Sequence, residues 1–82
     1  MGTAERILSY LQVCSREQKQ QAREAARKTA SRLGIRLHIQ YRGELPEPHQ
    51  TGNFRMVLKV LEETKDRELI EKVLGYLNRG SK

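Results

Sequence analysis

Residues 15–34 read SREQKQQAREAARKTASRLG, and this stretch carries the clearest structural signals in the chain. Ser15, followed three positions later by Gln18, is the pattern of a capping box, in which each side chain bonds the main-chain N–H of the other at the start of a helix. Gly34 stands where the helix is expected to end, because glycine readily adopts the left-handed conformation that closes helices. The pattern therefore predicts a helix from Ser15 to about Leu33.

The apolar residues of this segment recur at helical spacing and define the buried face of the predicted helix. They are mostly small: Ala22, Ala25, Ala26, Ala30 and Leu33. A preceding helix, capped by Thr3, is predicted from four further apolar residues at the same spacing. These are Ile7, Leu8, Leu11 and Cys14.

One long helix across residues 4–33 is the competing interpretation of the N-terminal half. Alternating steps of four and three residues run from Ala4 to Thr29, which is the heptad spacing of a coiled coil. Ser15 and Gln18 are polar, but they occupy two successive heptad positions that a coiled coil would fill with apolar residues. Ser15 is also a good N-terminal cap. Two helices with a break at Ser15 are therefore preferred.

Residues 35–42, IRLHIQYR, alternate strictly between apolar and polar side chains, which is the pattern of a half-buried strand. A lone strand leaves its main-chain groups unbonded, so it needs a partner. Residues 54–61, FRMVLKVL, fit a strand or a helix, and the need for a partner favours a strand. The two segments then form a β-hairpin through a mobile loop over residues 43–53, where Pro46 and Pro48 oppose regular pairing.

A last helix is predicted to begin after Asp66, whose carboxylate is a good N-terminal cap. Its apolar face consists of Leu69, Ile70, Val73, Leu74 and Leu77. One continuous helix over residues 54–77 is excluded, because its two apolar faces would point about 140° apart. A break near Lys65 and Asp66 is therefore required, and residues 80–82 are expected to form a tail.

Together these segments predict a single α+β domain over residues 1–82, with two N-terminal helices or one long helix, a β-hairpin and a C-terminal helix. The alternative has a helix, one strand and two further helices, with the strand paired across a dimer. A chain of 82 residues buries a modest share of its surface. A homodimer is therefore expected, because self-association supplements a small core.

The net charge of +6 is concentrated in residues 15–42, which contain eight basic and two acidic residues. Four of the cations follow one flank of the predicted second helix, within an arc of about 80° and a length of about 16 Å. We call these residues the basic stripe: Arg16, Lys19, Arg23 and Arg27. Cations spaced along a line suit the phosphates of a nucleic acid. A solvated helix face kept charged for solubility has the same appearance.

The polar face of the predicted first strand carries further donors, and such a face can follow a nucleic-acid backbone or reach base edges. Lys28 is left out of the expected interface, because Glu24 lies four residues before it and is expected to pair with it. The predicted nucleic-acid-binding residues are Arg16, Lys19, Arg23, Arg27, Arg32, Arg36, His38 and Arg42.

A small basic protein that binds DNA or RNA, with a regulatory or architectural role, is the predicted function. The alternative is a protein-interaction module, an adaptor or assembly subunit, whose arginines meet an acidic protein partner. Tyr10 falls off the main apolar face of the first helix and is the aromatic residue expected to be available for stacking on bases.

Catalytic and metal chemistry find no support in the sequence. It contains no nucleophile–base pattern and no glycine-rich phosphate loop, so neither an enzymatic activity nor a cofactor is expected. His38, His49 and Cys14 lack the spacing of a metal site. The single cysteine fits a reducing compartment, and there is no signal peptide or membrane-spanning run. A cytoplasmic location without a membrane partner is therefore expected.

Overall fold

The computed structural model of the protein describes residues 2–36, 41–48 and 53–79. Within these ranges the chain forms four helices: α1 (Thr3–Gln12), α2 (Arg16–Leu33), α3 (Phe54–Glu63) and α4 (Arg67–Arg79). α2 packs against both α3 and α4, and α1 packs mainly against α4. The longest helix thus forms the centre on which the second half of the chain assembles.

The predicted α+β fold with a β-hairpin is wrong, because the described residues contain no strand and residues 54–61 belong to α3. Asn53 starts this helix: its side-chain Oδ1 accepts a hydrogen bond of 2.9 Å from the Arg55 main-chain N–H. The helix buries Val57 and Leu61 and leaves Met56, which a strand would have placed with its apolar neighbours, 64% exposed. The alternative with a helix at this position was nearer to the structure.

The predicted first strand has no counterpart among the described residues. Its central part, residues 37–40, lies outside the described residues, and the flanking residues 35–36 and 41–42 are in neither strand nor helix. Ile35 instead joins the buried core directly after α2. The alternative fold required this strand to pair across a dimer, and that prediction also concerns residues outside the described ranges.

Both predicted ends of α2 are confirmed, and with them the break between α1 and α2. Ser15 Oγ accepts from the Gln18 N–H at 3.2 Å and Gln18 Oε1 accepts from the Ser15 N–H at 3.1 Å, which is a complete capping box. Gly34 has a φ of +73°, and the Ile35 N–H donates to the Ala30 carbonyl at 2.9 Å. This is a Schellman ending, in which the residue after the glycine packs into the core.

The ends of the other helices are also set by short-range hydrogen bonds. Asp66 Oδ1 accepts from the Glu68 and Leu69 N–H groups at 3.0 and 3.3 Å, which confirms the predicted cap of α4 and the break before it. The predicted cap of α1 is one residue late, because Gly2 is the capping position and Thr3 is the first helical residue.

The core is built from aliphatic side chains of all four helices. Its largest fully buried members are Leu8, Leu11, Leu61, Ile70 and Val73. α2 contributes alanines, and their small side chains let α3 and α4 approach its backbone closely. The larger buried side chains come from the neighbouring helices, among them Leu61, Ile70 and Val73.

The connection between α2 and α3 is described over residues 41–48. Gln12 Nε2, at the end of α1, donates to the Pro46 carbonyl, and the Tyr41 hydroxyl donates to the Glu44 carbonyl at 2.9 Å. This part of the predicted loop therefore lies against the end of α1. Residues 49–52 of the same loop and the predicted tail 80–82 lie outside the described residues.

Candidate nucleic-acid interface

The basic stripe lies on the flank of α2 that faces α4. Lys19 Nζ is 6.0 Å from the centre of the Tyr76 ring, and Arg23 Nη2 donates to the Leu77 carbonyl at 2.9 Å. Arg16 and Arg27, at the two ends of the stripe, have exposed side chains. The structure therefore brings all four predicted residues of the stripe onto one surface.

Arg23 is engaged at the C-terminal end of α4. The last carbonyls of a helix have no partner within the helix and carry a partial negative charge, so a guanidinium donor stabilises them. Its side chain is partly buried beside α4. Arg23 therefore belongs to the packing of the fold as well as to the charged surface.

Arg16 and Arg27 differ from Arg23 in their contacts. Within the described ranges, neither side chain forms a hydrogen bond or an ion pair, and both ion pairs found there involve Lys72. The charge of these two arginines is therefore not neutralised by a neighbouring carboxylate of the described chain.

Arg32 lies on the opposite flank of α2, because nine residues turn a helix by about 180° from Arg23. Its Nη2 donates to the Glu62 and Thr64 carbonyls at 3.1 and 2.9 Å, at the end of α3. The buried Thr29 hydroxyl lies in the same contact, with the carbonyls of Leu61 and Ala25 within hydrogen-bond distance. Arg32 therefore caps α3 and does not extend the basic stripe.

The remaining predicted residues follow α2. Arg36 and Arg42 are exposed, and His38 lies between them outside the described residues. The strand face that was expected to align these three side chains is not formed by the residues that the structure describes. Nothing in the described residues aligns Arg36 and Arg42 with the basic stripe.

The predicted ion pair between Glu24 and Lys28 is wrong for the described structure. Lys72 makes both ion pairs of the described residues, at 3.2 Å to Glu5 Oε1 and at 3.3 Å to Glu68 Oε1. Lys28 and Glu24 are exposed on the outer side of α2. Lys28 is thus as available to solvent as the exposed arginines of the stripe.

Tyr76 is the residue of this surface that the sequence interpretation missed. It precedes Leu77 on α4, off the predicted apolar face, and the structure leaves it partly exposed beside Lys19. Its position off that face was the signal that could have found it. Tyr10, the aromatic predicted to be available, is half-buried against the core as Tyr76 is, but Tyr76 is the one that lies beside a cation of the basic stripe.

Cys14 lies near the N-terminal end of α2 and is partly exposed. Its Sγ is 3.4 Å from the Tyr10 carbonyl oxygen. Burial raises the pKa of the Cys14 thiol, and the positive charge of Lys19 opposes that rise. The thiol is therefore held in its protonated, less reactive form.

In the part of the chain that the structure describes, no three His, Cys, Asp or Glu side chains converge as metal ligands would. His38 and His49 lie outside that part. Nor is any helix there long and apolar enough to cross a lipid bilayer.

Comparisons of the chain with protein-family models, with curated proteins and with solved structures find no match. The chemistry of the described surface is therefore the basis for inferring a function.

Proposed function

We propose that the protein binds nucleic acid, DNA or RNA, through contacts between phosphates and the exposed cations of the basic stripe. One observation carries the proposal: Arg16 and Arg27 are exposed on one flank of α2, with Lys19 between them and without a carboxylate partner among the described residues. Eleven residues of helix separate them by about 16 Å, and phosphates of one strand follow each other every 3.4 Å or so along a duplex axis.

Fewer residues are proposed to contact phosphate directly than the eight residues predicted from the sequence. Arg23 and Arg32 donate to carbonyls at the ends of α4 and α3, so they contribute to the positive field more than to direct phosphate contact. Arg36, His38 and Arg42 stay in the proposal as predicted residues. The regulatory or architectural role and the cytoplasmic location also remain predictions.

Self-association is a separate part of the proposal. The homodimer rests on the small size of the chain, since the exposed large apolar side chains of the described residues are the single residues Val13 and Met56. The basic stripe lies within one chain, so phosphate binding does not require a second copy. Analytical ultracentrifugation without nucleic acid measures this directly: sedimentation as a monomer over the whole concentration range contradicts the homodimer.

The test is a titration of fluorescent oligonucleotides with the unmodified protein and with the double variant Arg16→Glu/Arg27→Glu. We expect the variant to bind at least about tenfold more weakly at about 50 mM salt, and log K to fall less steeply with log[salt], because two phosphate contacts are lost. Arg23 is left unchanged, because its substitution would also remove the hydrogen bond to α4.

The matched control is Arg55→Glu/Lys59→Glu on the exposed side of α3. Both double variants lower the formal net charge from +6 to +2, so a difference between them reports the position of the charge. Equal losses for the two variants contradict a defined site. Absence of binding to duplex and single strands at low salt contradicts the proposed function and favours the acidic protein partner.

A finer pair of variants uses two exposed neighbours on α2. Arg27 and Lys28 are adjacent in the chain but point about 100° apart around the helix. We expect Arg27→Glu to weaken binding by about five- to tenfold and Lys28→Glu by less than about twofold at low salt. If both substitutions weaken binding equally, the interface is centred on the outer face of α2 and not on the flank that faces α4.

A further inference from the structure

The outer side of α2 is poorly suited to entering the groove of a duplex. Glu17 and Glu24 are exposed there, two turns apart, and a helix pressed into a groove would bring both carboxylates near phosphates. The cations of the basic stripe lie to one side of these acids, toward α4. Positive charge is therefore offered along the edge between α2 and α4, not along the outermost line of α2.

An aromatic ring lies beside the cations on that edge. Tyr76 of α4 is half-buried: it packs against the core and keeps part of its side chain exposed, and the ammonium group of Lys19 is 6.0 Å from the centre of its ring. Proteins that bind single strands combine such a cationic edge, which follows the backbone, with aromatic rings on which bases stack. A paired base inside a duplex cannot reach a ring in this position, because both of its faces are already stacked.

We infer that the nucleic acid bound by this surface is single-stranded, with a base stacked on Tyr76 and neighbouring phosphates on Arg16 and Arg27. This inference rests on the proposed function and names the form of nucleic acid that it binds. Either sugar fits, because stacking and phosphate contact are common to DNA and RNA.

Lys19 has a defined part in this binding mode. Its ammonium group sits over the Tyr76 ring in the free chain, where a weak cation–π contact holds it. An incoming base stacks on the ring more strongly than the ammonium does, and the flexible lysine side chain then moves to the adjacent phosphate. On binding, the Tyr76 ring therefore exchanges the lysine ammonium group for a base, and Lys19 exchanges the ring for a phosphate.

The experiment compares oligo(dT), oligo(U) and a mixed-sequence DNA duplex, each of about 20 residues or base pairs, for their affinity at matched salt. We expect both single strands to bind more tightly than the duplex. Tyr76→Leu should weaken single-strand binding about tenfold, the size expected for the loss of one stacked base, while Tyr76→Phe should bind like the unmodified chain.

Intrinsic fluorescence gives a readout that does not depend on a variant. The chain has three tyrosines and no tryptophan, so stacking on Tyr76 should quench part of the tyrosine emission when oligo(dT) is added. Tyr41→Leu is the matched control, because it removes a ring from the connection between α2 and α3 and should leave both affinity and quenching unchanged. Circular dichroism of each variant shows that it is folded.

The outcomes separate this inference from the proposed function. Duplex binding equal to or tighter than single-strand binding, or unquenched tyrosine emission at saturating oligo(dT), overturns the single-strand inference while phosphate binding stands. Absence of binding to all three probes overturns both. If Tyr76→Leu fails to fold, the probe comparison and the quenching of the unmodified chain still decide the matter.

Discussion

Two pairs of arginines on α2 have the same chemistry and different surroundings. Arg23 and Arg32 donate to main-chain carbonyls at the ends of α4 and α3. Arg16 and Arg27 are exposed and contact no hydrogen-bonding partner in the described part of the chain. The first pair joins helices together, and the second pair presents charge to solvent.

The difference teaches that a basic helix can serve two purposes with one residue type. A guanidinium group offers five donors, and the unsatisfied carbonyls at a helix end accept them as readily as a phosphate does. Counting arginines in a sequence therefore overstates the number available to a ligand. An arginine that joins two helices and one that is exposed should differ most in their contribution to the free energy of unfolding.

The largest effect is expected for Arg23→Met, which keeps the aliphatic part of the side chain and removes its donors. The free energy of unfolding should fall by about 2 kcal/mol, because a partly buried carbonyl of α4 loses a charged donor. Chemical denaturation with urea measures the change. Arg27→Met is the control and should alter stability by no more than about 0.5 kcal/mol. Equal losses of stability for Arg23→Met and Arg27→Met would contradict the distinction between structural and exposed arginines.

A smaller effect is expected for Arg32→Ala. Its two hydrogen bonds join α2 to the end of α3, but the contact is exposed and water can replace part of it. We expect the free energy of unfolding to fall by about 1 kcal/mol. Lys28→Ala, four residues earlier and exposed, should change stability by less than about 0.5 kcal/mol. A larger loss of stability for Lys28→Ala than for Arg32→Ala would contradict a stabilising role for the hydrogen bonds of Arg32.

The smallest effect is expected from the ion pair that joins α1 to α4. The pKa of Glu5 is lowered from 4.5, first by a main-chain hydrogen bond and then by the Lys72 side chain. Because the folded chain favours the charged carboxylate, the stabilisation is complete above pH 4.5 and is lost as the pH falls through the lowered pKa.

Thermal unfolding between about pH 3 and about pH 6 tests this dependence. Glu5→Gln should flatten the acid side of the profile, whereas Glu47→Gln, at an exposed loop position, should leave it unchanged. The contacts of Arg23 and Arg32 are made to carbonyls that do not titrate in this range. An unchanged profile for Glu5→Gln would show that the ion pair contributes nothing to stability.

Both ends of α2 and the start of α4 were predictable because the interactions that determine them are local. The capping box of Ser15 and Gln18, the left-handed Gly34 and the Asp66 cap each involve residues within five positions of each other. The fold class was not predictable in the same way. The assignment of residues 54–61 as a strand depended on a partner strand over residues 35–42 that was itself only inferred, and α3 shows that it was wrong.

Met56 explains why the strand was attractive. A strand gave Met56 and Val60 the same buried face, whereas α3 leaves the methionine 64% exposed. Single exposed apolar residues are common on protein surfaces and cost little, so a pattern that buries every one of them is not a reliable guide. The cap at Asn53 was the stronger local signal for a helix.

The candidate surface was predictable only in part. Helical spacing alone placed the four residues of the basic stripe on one flank. The contacts of its members were not visible in the sequence, because Arg23 meets Leu77 at a separation of 54 positions and Arg32 meets Glu62 at a separation of 30. Tyr76 could be linked to Lys19 only once α4 was known to pack beside α2.

The packing of α1 on α4 has a consequence for folding during synthesis. Glu5 and Lys72 are 67 positions apart in the chain, and the apolar face of α1 is buried mainly by the last helix. A ribosome therefore releases α1 long before its partner exists, and its leucines stay in water until residues 67–79 emerge. Such long-range pairing also slows folding relative to helical proteins whose neighbouring helices pack in order.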